Sequence, residues 1–228
     1  MKCVEVRGVK IGEGIPKIIV PIVGTTEKEI LDAAVSLRGA VMDLTEWRAD
    51  YFDGVFDFAK VERVLKELRK ELGSIPILFT FRTSGEGGEK EITVDAYAQL
   101  CIKAAQTGLV DLIDVEAFTG EEVVRKIIEE AHRAGVKVVA SNHDFDKTPA
   151  KDDIVSRLPL TLQQREDLLL VFRHPVVAGT VRLVRADIDI PCLLPSEGHR
   201  LLCRVIVHVL RPRMQETGTQ RRMVGSLQ

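Results

Sequence analysis

Lysine does not occur after Lys151 in this chain of 228 residues. The first 151 residues contain thirteen lysines and eight arginines, whereas residues 152–228 contain eleven arginines and no lysine. The formal charge also changes, from −5 in the first part (21 basic and 26 acidic side chains) to +3 in the second (11 and 8). Chemistry that requires a primary amine from the last third of the chain therefore has no lysine to use there.

The chain also lacks long apolar runs. The longest, such as IIVPIV and VIVHVL, are far shorter than the ~20 residues that a membrane-spanning helix needs. The N-terminal stretch MKCVEVRGVK carries charges where a signal peptide has an apolar segment. The small net charge of −2 gives no reason to expect nucleic acid or an acidic membrane as a partner. We therefore expect a cytoplasmic globular protein that binds neither nucleic acid nor membranes.

Paired cysteine motifs are missing as well. Four cysteines are spread along the chain without a CxxC pair: Cys3, Cys101, Cys192 and Cys203. Such usage is typical of reduced thiols in an intracellular protein. Two of them alternate with two histidines in the spacing C-x6-H-x3-C-x4-H: Cys192, His199, Cys203 and His208. This spacing matches no common zinc module, so we expect no bound metal.

What the chain does contain is a regular alternation of short β-branched runs and amphipathic stretches. The runs predict strands at 17–23, 40–50, 76–83, 109–117 and 135–144. The stretches with apolar residues at helical spacing predict helices at 27–38, 57–72, 94–107 and 120–134. Capping boxes mark the starts of the first and last helix, at Thr26 with Glu29 and at Thr119 with Glu122. Five successive strand–helix units indicate a parallel sheet, either open or closed into a barrel.

The positions of the polar side chains favour the barrel. They cluster at the C-terminal ends of several predicted strands: Glu46, Arg48, Arg82, Asp114, Glu116 and His143. A (β/α)8 barrel of the TIM type builds its active site at that end of its strands. An open doubly wound sheet more often has a Gly-rich turn after its first strand, and GTTEKEI is not one. We expect an α/β fold of the TIM-barrel type, in which residues 1–16 form a hairpin that closes the bottom of the barrel.

Five segments, in this order, carry a resemblance to a known family: VPIVG, EWRADYFD, FTFRTSGEGGEKEI, GLVDLIDVE and SNHDFDKTP. Together they resemble type I 3-dehydroquinate dehydratase, over residues from about 5 to 158. The resemblance implies a (β/α)8 barrel that removes water from 3-dehydroquinate to give 3-dehydroshikimate, in the shikimate pathway. It further implies an imine between a lysine and the substrate ketone, no metal or organic cofactor, and a homodimer if the barrel is complete.

The resemblance also implies roles for individual residues. His143 in SNHDF would move protons, and Glu86 in RTSGEGGEK would assist it. The positions that contact substrate would be Glu46, Trp47, Arg48 and Arg82. These residue types suit the chemistry, because an imidazole titrates near neutral pH and a nearby carboxylate favours its protonated form. Guanidinium groups suit a polyhydroxylated carboxylic acid, since each offers several donors in fixed geometry.

Simpler interpretations of the same residues stay open. His143 could be a structural histidine at a strand end, and Glu46 with Arg48 could form an ion pair on the rim. Asp114 and Glu116 could orient His143 or serve only the structure. The stretch GEGGEK lacks the GK[ST] ending of a phosphate-binding loop and opens no helix, which favours a mobile lid over the site.

After residue 158 the family pattern is no longer recognisable. The family's sixth strand bears the imine lysine in a context like DIPKIA, whereas this chain has RADIDIPCLLPSEG at 185–198, with Cys192 after the proline. Too few residues follow for three more strand–helix units, because TIM barrels typically run to about 250 residues. The patterns there predict a helix at 162–172, strands at 175–184 and 203–210, and an unstructured tail over the last fifteen residues.

These features lead to two hypotheses about function. The first is the dehydratase reaction that the resemblance implies. The second is an inactive barrel fragment or pseudoenzyme that at most binds polyol carboxylic acids or self-associates, because the imine lysine is missing. Both divide the chain into residues 1–158, with barrel units one to five, and residues 159–228, a divergent segment with a disordered tail. A frameshifted or fused 3′ end of the gene would explain that segment.

Overall fold

The computed structural model describes residues 3–143 and, for their backbone alone, residues 168–173 and 207–209. Its strands are β1 Val4–Val6, β2 Val9–Ile11, β3 Lys17–Ile22, β4 Leu44–Arg48, β5 Ile77–Thr80, β6 Leu112–Glu116, β7 Lys137–His143, β8 Leu168–Arg173 and β9 Val207–Val209. Its α-helices are α1 Glu27–Ser36, α2 Phe58–Leu72, α3 Val94–Gln106 and α4 Glu121–Arg133. Short 3-10 turns, Ala49–Tyr51 and Ser84–Glu86, follow β4 and β5. The five strands and four helices predicted between residues 17 and 144 are therefore confirmed.

Seven strands form one sheet in the order β8-β7-β6-β5-β4-β3-β9, and every neighbouring pair is parallel. Helices α1 to α4 connect successive strands from β3 to β7, and they pack against the outer face of the sheet. Parallel neighbours of this kind need such crossover connections, because the chain must return to the same end of the sheet. The result is the α/β fold of the TIM-barrel type that the strand–helix alternation predicts.

The predictions for the last third of the chain have mixed outcomes. The helix predicted at 162–172 is wrong, because Leu168–Arg173 pairs with β7 as strand β8. The run LLLVF at 168–172 is continuously apolar, and such a run does not distinguish a buried strand from a buried helix. The strand predicted at 203–210 is confirmed in part by β9. The strand predicted at 175–184, the tail and the cysteine–histidine group lie outside the described residues.

The N-terminal hairpin covers one end of the sheet. Strands β1 and β2 pair antiparallel through a two-residue turn, in which Arg7 and Gly8 have φ of 46° and 82°. Positive φ at both central positions gives a turn whose twist matches that of the flanking strands. The hairpin packs against the first inward-facing side chains of five strands: Val4, Val6 and Ile11 against Ile19, Leu44, Leu78, Leu112 and Val139. The hairpin predicted at the bottom of the barrel is thus confirmed.

The larger core lies between the sheet and the helices. It contains the outward-facing residues of the strands and the apolar faces of α1 to α4, and its largest fully buried side chains include Trp47, Tyr97, Phe79 and Phe81. The ring centroids of Trp47 and Phe79 are 5.6 Å apart in an edge-to-face arrangement, which is one of the geometries that aromatic pairs prefer. In the part of the chain that the structure describes, no helix is both long and apolar enough to cross a membrane.

The two predicted capping boxes differ in outcome. At α1 the Thr26 side chain accepts a hydrogen bond from the Glu29 N–H, and the Glu29 carboxylate accepts one from the Thr26 N–H, as predicted. At α4 the prediction is wrong, because the N-cap residue is Gly120, which has no side chain to cap the helix. Thr119 lies one position too early, and its hydroxyl donates to the carbonyl oxygen of Glu116 at 3.0 Å.

Candidate active site

His143 and Glu86 form a hydrogen-bonded pair at the C-terminal end of the sheet. His143 is the last residue of β7, and Glu86 lies in the 3-10 turn after β5. The Oε2 atom of Glu86 accepts a hydrogen bond from the backbone N–H of His143 at 3.0 Å and lies 2.9 Å from its Nδ1. Asn142 donates its Nδ2–H to the other carboxylate oxygen at 3.2 Å. Because Nδ1 is engaged by Glu86, proton transfer by this imidazole would use Nε2.

The surroundings of Glu86 bring its titration close to neutral pH. Burial raises the pKa of this carboxyl to about 7, because it disfavours the charged form. The positive charge of Arg82 and the hydrogen bonds from Asn142 and from the backbone of His143 oppose this rise. The carboxyl therefore gains and loses its proton in the range where an imidazole ordinarily titrates.

A tight loop presents Glu86 to His143. The N–H of Gly88 donates to the carbonyl oxygen of Thr83 at 2.8 Å. A Cβ atom at Gly88 would lie 1.9 Å from the carbonyl oxygen of Arg82, so this return of the loop requires glycine. Lys90 anchors the end of the loop by donating from Nζ to two carbonyl oxygens of the turn after β4, at 2.7 and 3.0 Å. The loop is thus anchored on its far side, and its role as a mobile lid stays a prediction.

Arg82 is buried among carboxylates, and its side chain is only 6% exposed. Its Nη2 donates to Oδ1 of Asp114 at 2.8 Å, and its Nη1 donates to Oε1 of Glu116 at 3.2 Å and to Oγ of Ser141 at 2.8 Å. Burial acts to lower the pKa of this guanidinium, but the charges of Asp114 and Glu116 outweigh it and raise that pKa. These two carboxylates therefore fix Arg82, which in turn reaches the carboxylate of Glu86.

Arg82 also reaches the histidine pair. Its Nη1 lies 3.4 Å from Oε2 of Glu86, the oxygen that faces His143. The chain segment between Arg82 and Glu86 is held by Glu116, which accepts hydrogen bonds from the N–H and the hydroxyl of Thr83, both at 2.8 Å. Burial raises the pKa of Glu116, and the nearby charge of Glu86 adds to the rise. One network therefore joins β5, β6 and β7 beneath the pair.

Arg48 forms its ion pair with Asp50. The alternative prediction, an ion pair between Arg48 and Glu46, is therefore not what the structure shows. Nε and Nη2 of Arg48 donate to the two oxygens of Asp50, each at 2.8 Å. Asp50 is fully buried and also accepts from the backbone N–H groups of Arg82 and Glu89, at 3.3 and 3.2 Å. Asp50 is not among the site residues predicted from the sequence. Its place in EWRAD, two residues after Arg48, is the signal that could have indicated it.

Alternate residues of β4 point to opposite faces of the sheet. Glu46 and Arg48 face the inner side, and burial raises the pKa of Glu46, with the charge of Asp114 adding to the rise. Trp47, between them, is completely buried in the core against Phe79. The side chain of Trp47 therefore lies on the opposite face of the sheet from those of Glu46 and Arg48, because successive side chains of a strand point to opposite sides, and the substrate contact at Trp47 stays a prediction.

No lysine takes the place beside β7 where the family's sixth strand would bear one. Strand β8 pairs with β7 and consists of LLLVFR, with Leu169 opposite Val139 and Val171 opposite Ser141. Lys137 begins β7 and therefore lies at the other end of that strand from His143. Lys147 and Lys151 lie outside the described residues. Among the described residues, no group of three or more histidine, cysteine, aspartate or glutamate side chains is placed to hold a metal ion.

A comparison with protein families agrees with this arrangement of residues. The family model of type I 3-dehydroquinase matches residues 18–175. The chain belongs to the type I 3-dehydroquinase family. The match reaches beyond residue 158, where the resemblance was expected to end, and it includes β8. It also contains all the residues of the cluster described above.

Several curated and solved proteins of this family are similar to the chain. The 3-dehydroquinate dehydratase of Clostridium botulinum is 52% identical over 167 residues, which cover 73% of this chain and 66% of that protein. That of Clostridioides difficile is 52% identical over 155 residues, or 68% of this chain and 61% of that protein. The chain thus spans less than two thirds of the length of these two relatives.

Two solved structures of the family have the same fold. The type I 3-dehydroquinate dehydratase of Clostridium difficile superimposes with a TM-score of 0.71 at 47% identity, covering 75% of this chain and 68% of that one. The 3-dehydroquinate dehydratase of Enterococcus faecalis superimposes with a TM-score of 0.69 at 40% identity, covering 75% and 72%. At these identities the likeness extends from the fold to the family.

Proposed function

We propose that this chain is a cytoplasmic 3-dehydroquinate dehydratase, which binds 3-dehydroquinate and removes water from it to give 3-dehydroshikimate. The observation that carries the proposal is the His143–Glu86 pair, with 2.9 Å between Nδ1 and Oε2, at the C-terminal end of the sheet. Catalytic groups of TIM-barrel enzymes lie at that end. Membership of the type I 3-dehydroquinase family and relatives named 3-dehydroquinate dehydratase support the same substrate.

The proposed chemistry needs a base and an acid acting in turn. An imine between a lysine amine and the substrate ketone withdraws electrons, so the C–H next to it becomes acidic enough for a base near neutral pH. His143 takes that proton on Nε2, and the same imidazolium then gives a proton to the hydroxyl that leaves as water. Hydrolysis of the imine releases the product ketone and the lysine. Glu86 fixes the imidazole through Nδ1 and favours its protonated form during the first step.

The arginines and Glu46 would hold the substrate. Arg48 is half-buried on the inner side of β4, where the N–H groups that Asp50 does not use could donate to the carboxylate or hydroxyls of the ligand. Burial raises the pKa of Glu46, which favours a neutral carboxyl able to donate a hydrogen bond to a substrate oxygen. Arg82, whose Nη atoms already bind carboxylates, would add positive charge more than direct contact.

The second candidate is a protein that binds 3-dehydroquinate without turning it over. The observation that favours it is strand β8, which runs beside β7 and contains LLLVFR without a lysine. No lysine follows Lys151 in the sequence either. Without an amine the substrate ketone forms no imine, and the proton-transfer pair has no activated C–H to act on.

We also propose an organisation for the whole chain. Barrel units one to five span residues 1–158, and residues 159–228 come from a frameshifted or fused 3′ end, although the family model still matches up to residue 175. The nucleotide sequence of the gene tests this, because a shifted reading frame should restore a lysine-bearing segment of the PKIA type. A homodimer is proposed on the same family basis, and sedimentation velocity of the purified chain checks it.

The decisive experiment is reductive trapping of an imine. The purified chain is incubated with 3-dehydroquinate and borohydride, and its intact mass is measured. A single adduct, mapped to one lysine by peptide mass spectrometry, supports the dehydratase. Quinate is the matched control, because it has a hydroxyl in place of the ketone and forms no imine.

The other outcomes separate the two candidates. Binding of both ligands in calorimetry, with no adduct and no product, supports the binding protein. If folded protein binds neither 3-dehydroquinate nor quinate, the proposed substrate is wrong.

A further inference from the structure

Asp50 is a fully buried carboxylate in contact with two separate parts of the candidate site. On one side both of its oxygens accept from Arg48, each at 2.8 Å. On the other side they accept from the backbone N–H groups of Arg82 and Glu89, at 3.3 and 3.2 Å. A buried carboxylate is costly unless it is paired and hydrogen-bonded, and Asp50 meets both conditions with four donors.

The contact with Arg48 fixes the direction of a guanidinium. Two parallel N–H···O bonds hold its plane, and the ring of Tyr51 lies 5.1 Å from its central carbon atom. A guanidinium has five N–H groups, and Asp50 takes one from Nε and one from Nη2. The remaining three point away from Asp50, on the inner side of β4 where the substrate would lie.

The contact with the backbone holds the loop that carries Glu86. Arg82 lies four residues before Glu86 and Glu89 three residues after it, so one carboxylate fixes both ends of the segment. Lys90 strengthens this attachment, because its Nζ donates to the carbonyl oxygen of Asp50 at 2.7 Å. Glu86 in turn engages Nδ1 of His143 at 2.9 Å.

We propose that Asp50 is a positioning residue, which aims Arg48 at the ligand and holds the Glu86 loop in register with it. It touches neither ligand nor reacting atoms. The proposal rests on the proposed function for the ligand, but the attachment of the loop is independent of it. Asp50 thereby links Arg48, which would bind the ligand, to Glu86 and His143, which would carry out proton transfer.

The first test is a double-mutant cycle on ligand binding in the full chain. We expect Asp50→Asn to weaken the binding of quinate and 3-dehydroquinate about tenfold or more, because small displacements of a positioned group are costly. In an Arg48→Ala background the same change should have little further effect, because Asp50 then has no guanidinium to aim. Equal losses in both backgrounds would contradict the proposal.

Asp111→Asn is the matched control. Asp111 is a half-buried carboxylate that pairs with two arginines, Arg7 and Arg69, and accepts from the backbone N–H of Ile77, but it lies at the other end of the sheet. We expect Asp111→Asn to lower stability without changing the affinity for quinate. An equal loss of affinity in Asp111→Asn would show a general effect of destabilisation and would overturn the role of Asp50. If Asp50→Asn does not fold, Asp50→Glu, which keeps the charge and displaces it, replaces it in the cycle.

A second measurement needs no ligand. The backbone amides of Arg82 and Glu89 donate hydrogen bonds to Asp50. In Asp50→Asn their hydrogen exchange should become about tenfold faster or more, because these protecting hydrogen bonds become weaker. Asp111→Asn should leave both rates unchanged. If the wild-type chain binds neither ligand, the proposed function fails. The exchange rates of these two amides still test whether Asp50 holds the Glu86 loop. Unchanged rates in Asp50→Asn would reject the attachment of the loop.

Discussion

The two ends of the same strands differ completely in chemistry. At the N-terminal end, under the hairpin, the inward side chains of β3 to β7 are apolar: Ile19, Leu44, Leu78, Leu112 and Val139. A few residues further along β4 to β7 and the loop after β5, the inward positions are polar or charged: Glu46, Arg48, Arg82, Asp114, Glu116, Ser141 and His143. The same strands therefore carry an apolar, stabilising layer at their N-terminal end and the charged residues of the candidate site at their C-terminal end.

This difference explains how the fold accommodates buried charge. The apolar layer and the hairpin seal one end, and the helices pack on the outer face through a core that contains no charged side chain. The charged side chains that are fully buried among the described residues, Asp50, Arg82, Asp114 and Glu116, lie at the other end, where Arg82 is shared among Asp114, Glu116 and Glu86. TIM-barrel folds in general place stability at the N-terminal end of their strands and chemistry at the C-terminal end. Changes at each end should therefore give distinct signatures.

The largest expected effect is on turnover alone. His143→Asn should lower the turnover of 3-dehydroquinate about 10⁴-fold, the upper end for general acid–base catalysis, because both proton transfers use the same imidazole. Steady-state assays of product formation measure this. His132→Asn, in the last turn of α4 and outside the cluster, should leave turnover unchanged. A residual rate close to that of the wild type would remove His143 from the proposed mechanism.

Arg82→Leu should lower both stability and affinity. Its loss leaves Asp114 and Glu116 buried without their cation, and breaking such a network costs about 3–5 kcal/mol. Urea denaturation measures the free energy of unfolding. Arg38→Leu, which breaks a surface pair with Glu71, should cost far less, because solvent screens such a pair. Equal costs in the two variants would mean that the cluster is hydrated and not buried.

Leu112→Ala should lower stability without changing the site. Leu112 is 1% exposed in the layer under the hairpin, and the cavity left by its side chain should cost about 3 kcal/mol of unfolding free energy. The affinity of the folded fraction for quinate should stay that of the wild type, in contrast to Arg82→Leu. A parallel loss of affinity would show that the two ends of the sheet are not separable.

Local patterns predicted β3 to β7 and α1 to α4, because apolar residues recur at helical spacing over ten or more residues in the helices and β-branched runs mark the strands. Strand periodicity already places the side chain of Trp47 on the other face of the strand from those of Glu46 and Arg48. The pairing of His143 with Glu86 follows from strand ends and a family motif together. These features depend on short stretches of chain or on known motifs.

Other features depend on contacts that no local pattern contains. Asp50 becomes a centre of the site only because a loop 32 residues further along the chain folds back onto it. The cap of α4 differs by one residue from the predicted box, since helix boundaries shift easily by such amounts. Strand β8 could not be distinguished from a helix, because its run of apolar residues has no period.

The smallest expected effect is a change of stability with pH. It should have one sign for Glu86 in the candidate site and the opposite sign for Glu71 at the surface. Burial raises the pKa of Glu86 from an ordinary value of 4.5 to about 7. Folding therefore favours the protonated carboxyl, and its contribution to stability is full below pH 4.5 and is lost as the pH rises through about 7. Glu86→Gln, which is always neutral, should match the wild type at pH 4.5 and be more stable by about 2 kcal/mol at pH 8, after allowance for solvent screening.

Urea denaturation at several pH values between 4.5 and 8 measures this difference. Glu71→Gln is the control of opposite sign, because the hydrogen bond from Arg38 lowers the pKa of that exposed carboxyl. Glu71 therefore stabilises the fold above its unfolded pKa, and its replacement should be slightly unfavourable at pH 8. A difference between Glu86→Gln and the wild type that stays constant with pH would mean that Glu86 does not take up a proton on folding. The carboxyl would then be ionised beside His143 throughout, and it would favour the protonated imidazole at every pH in this range.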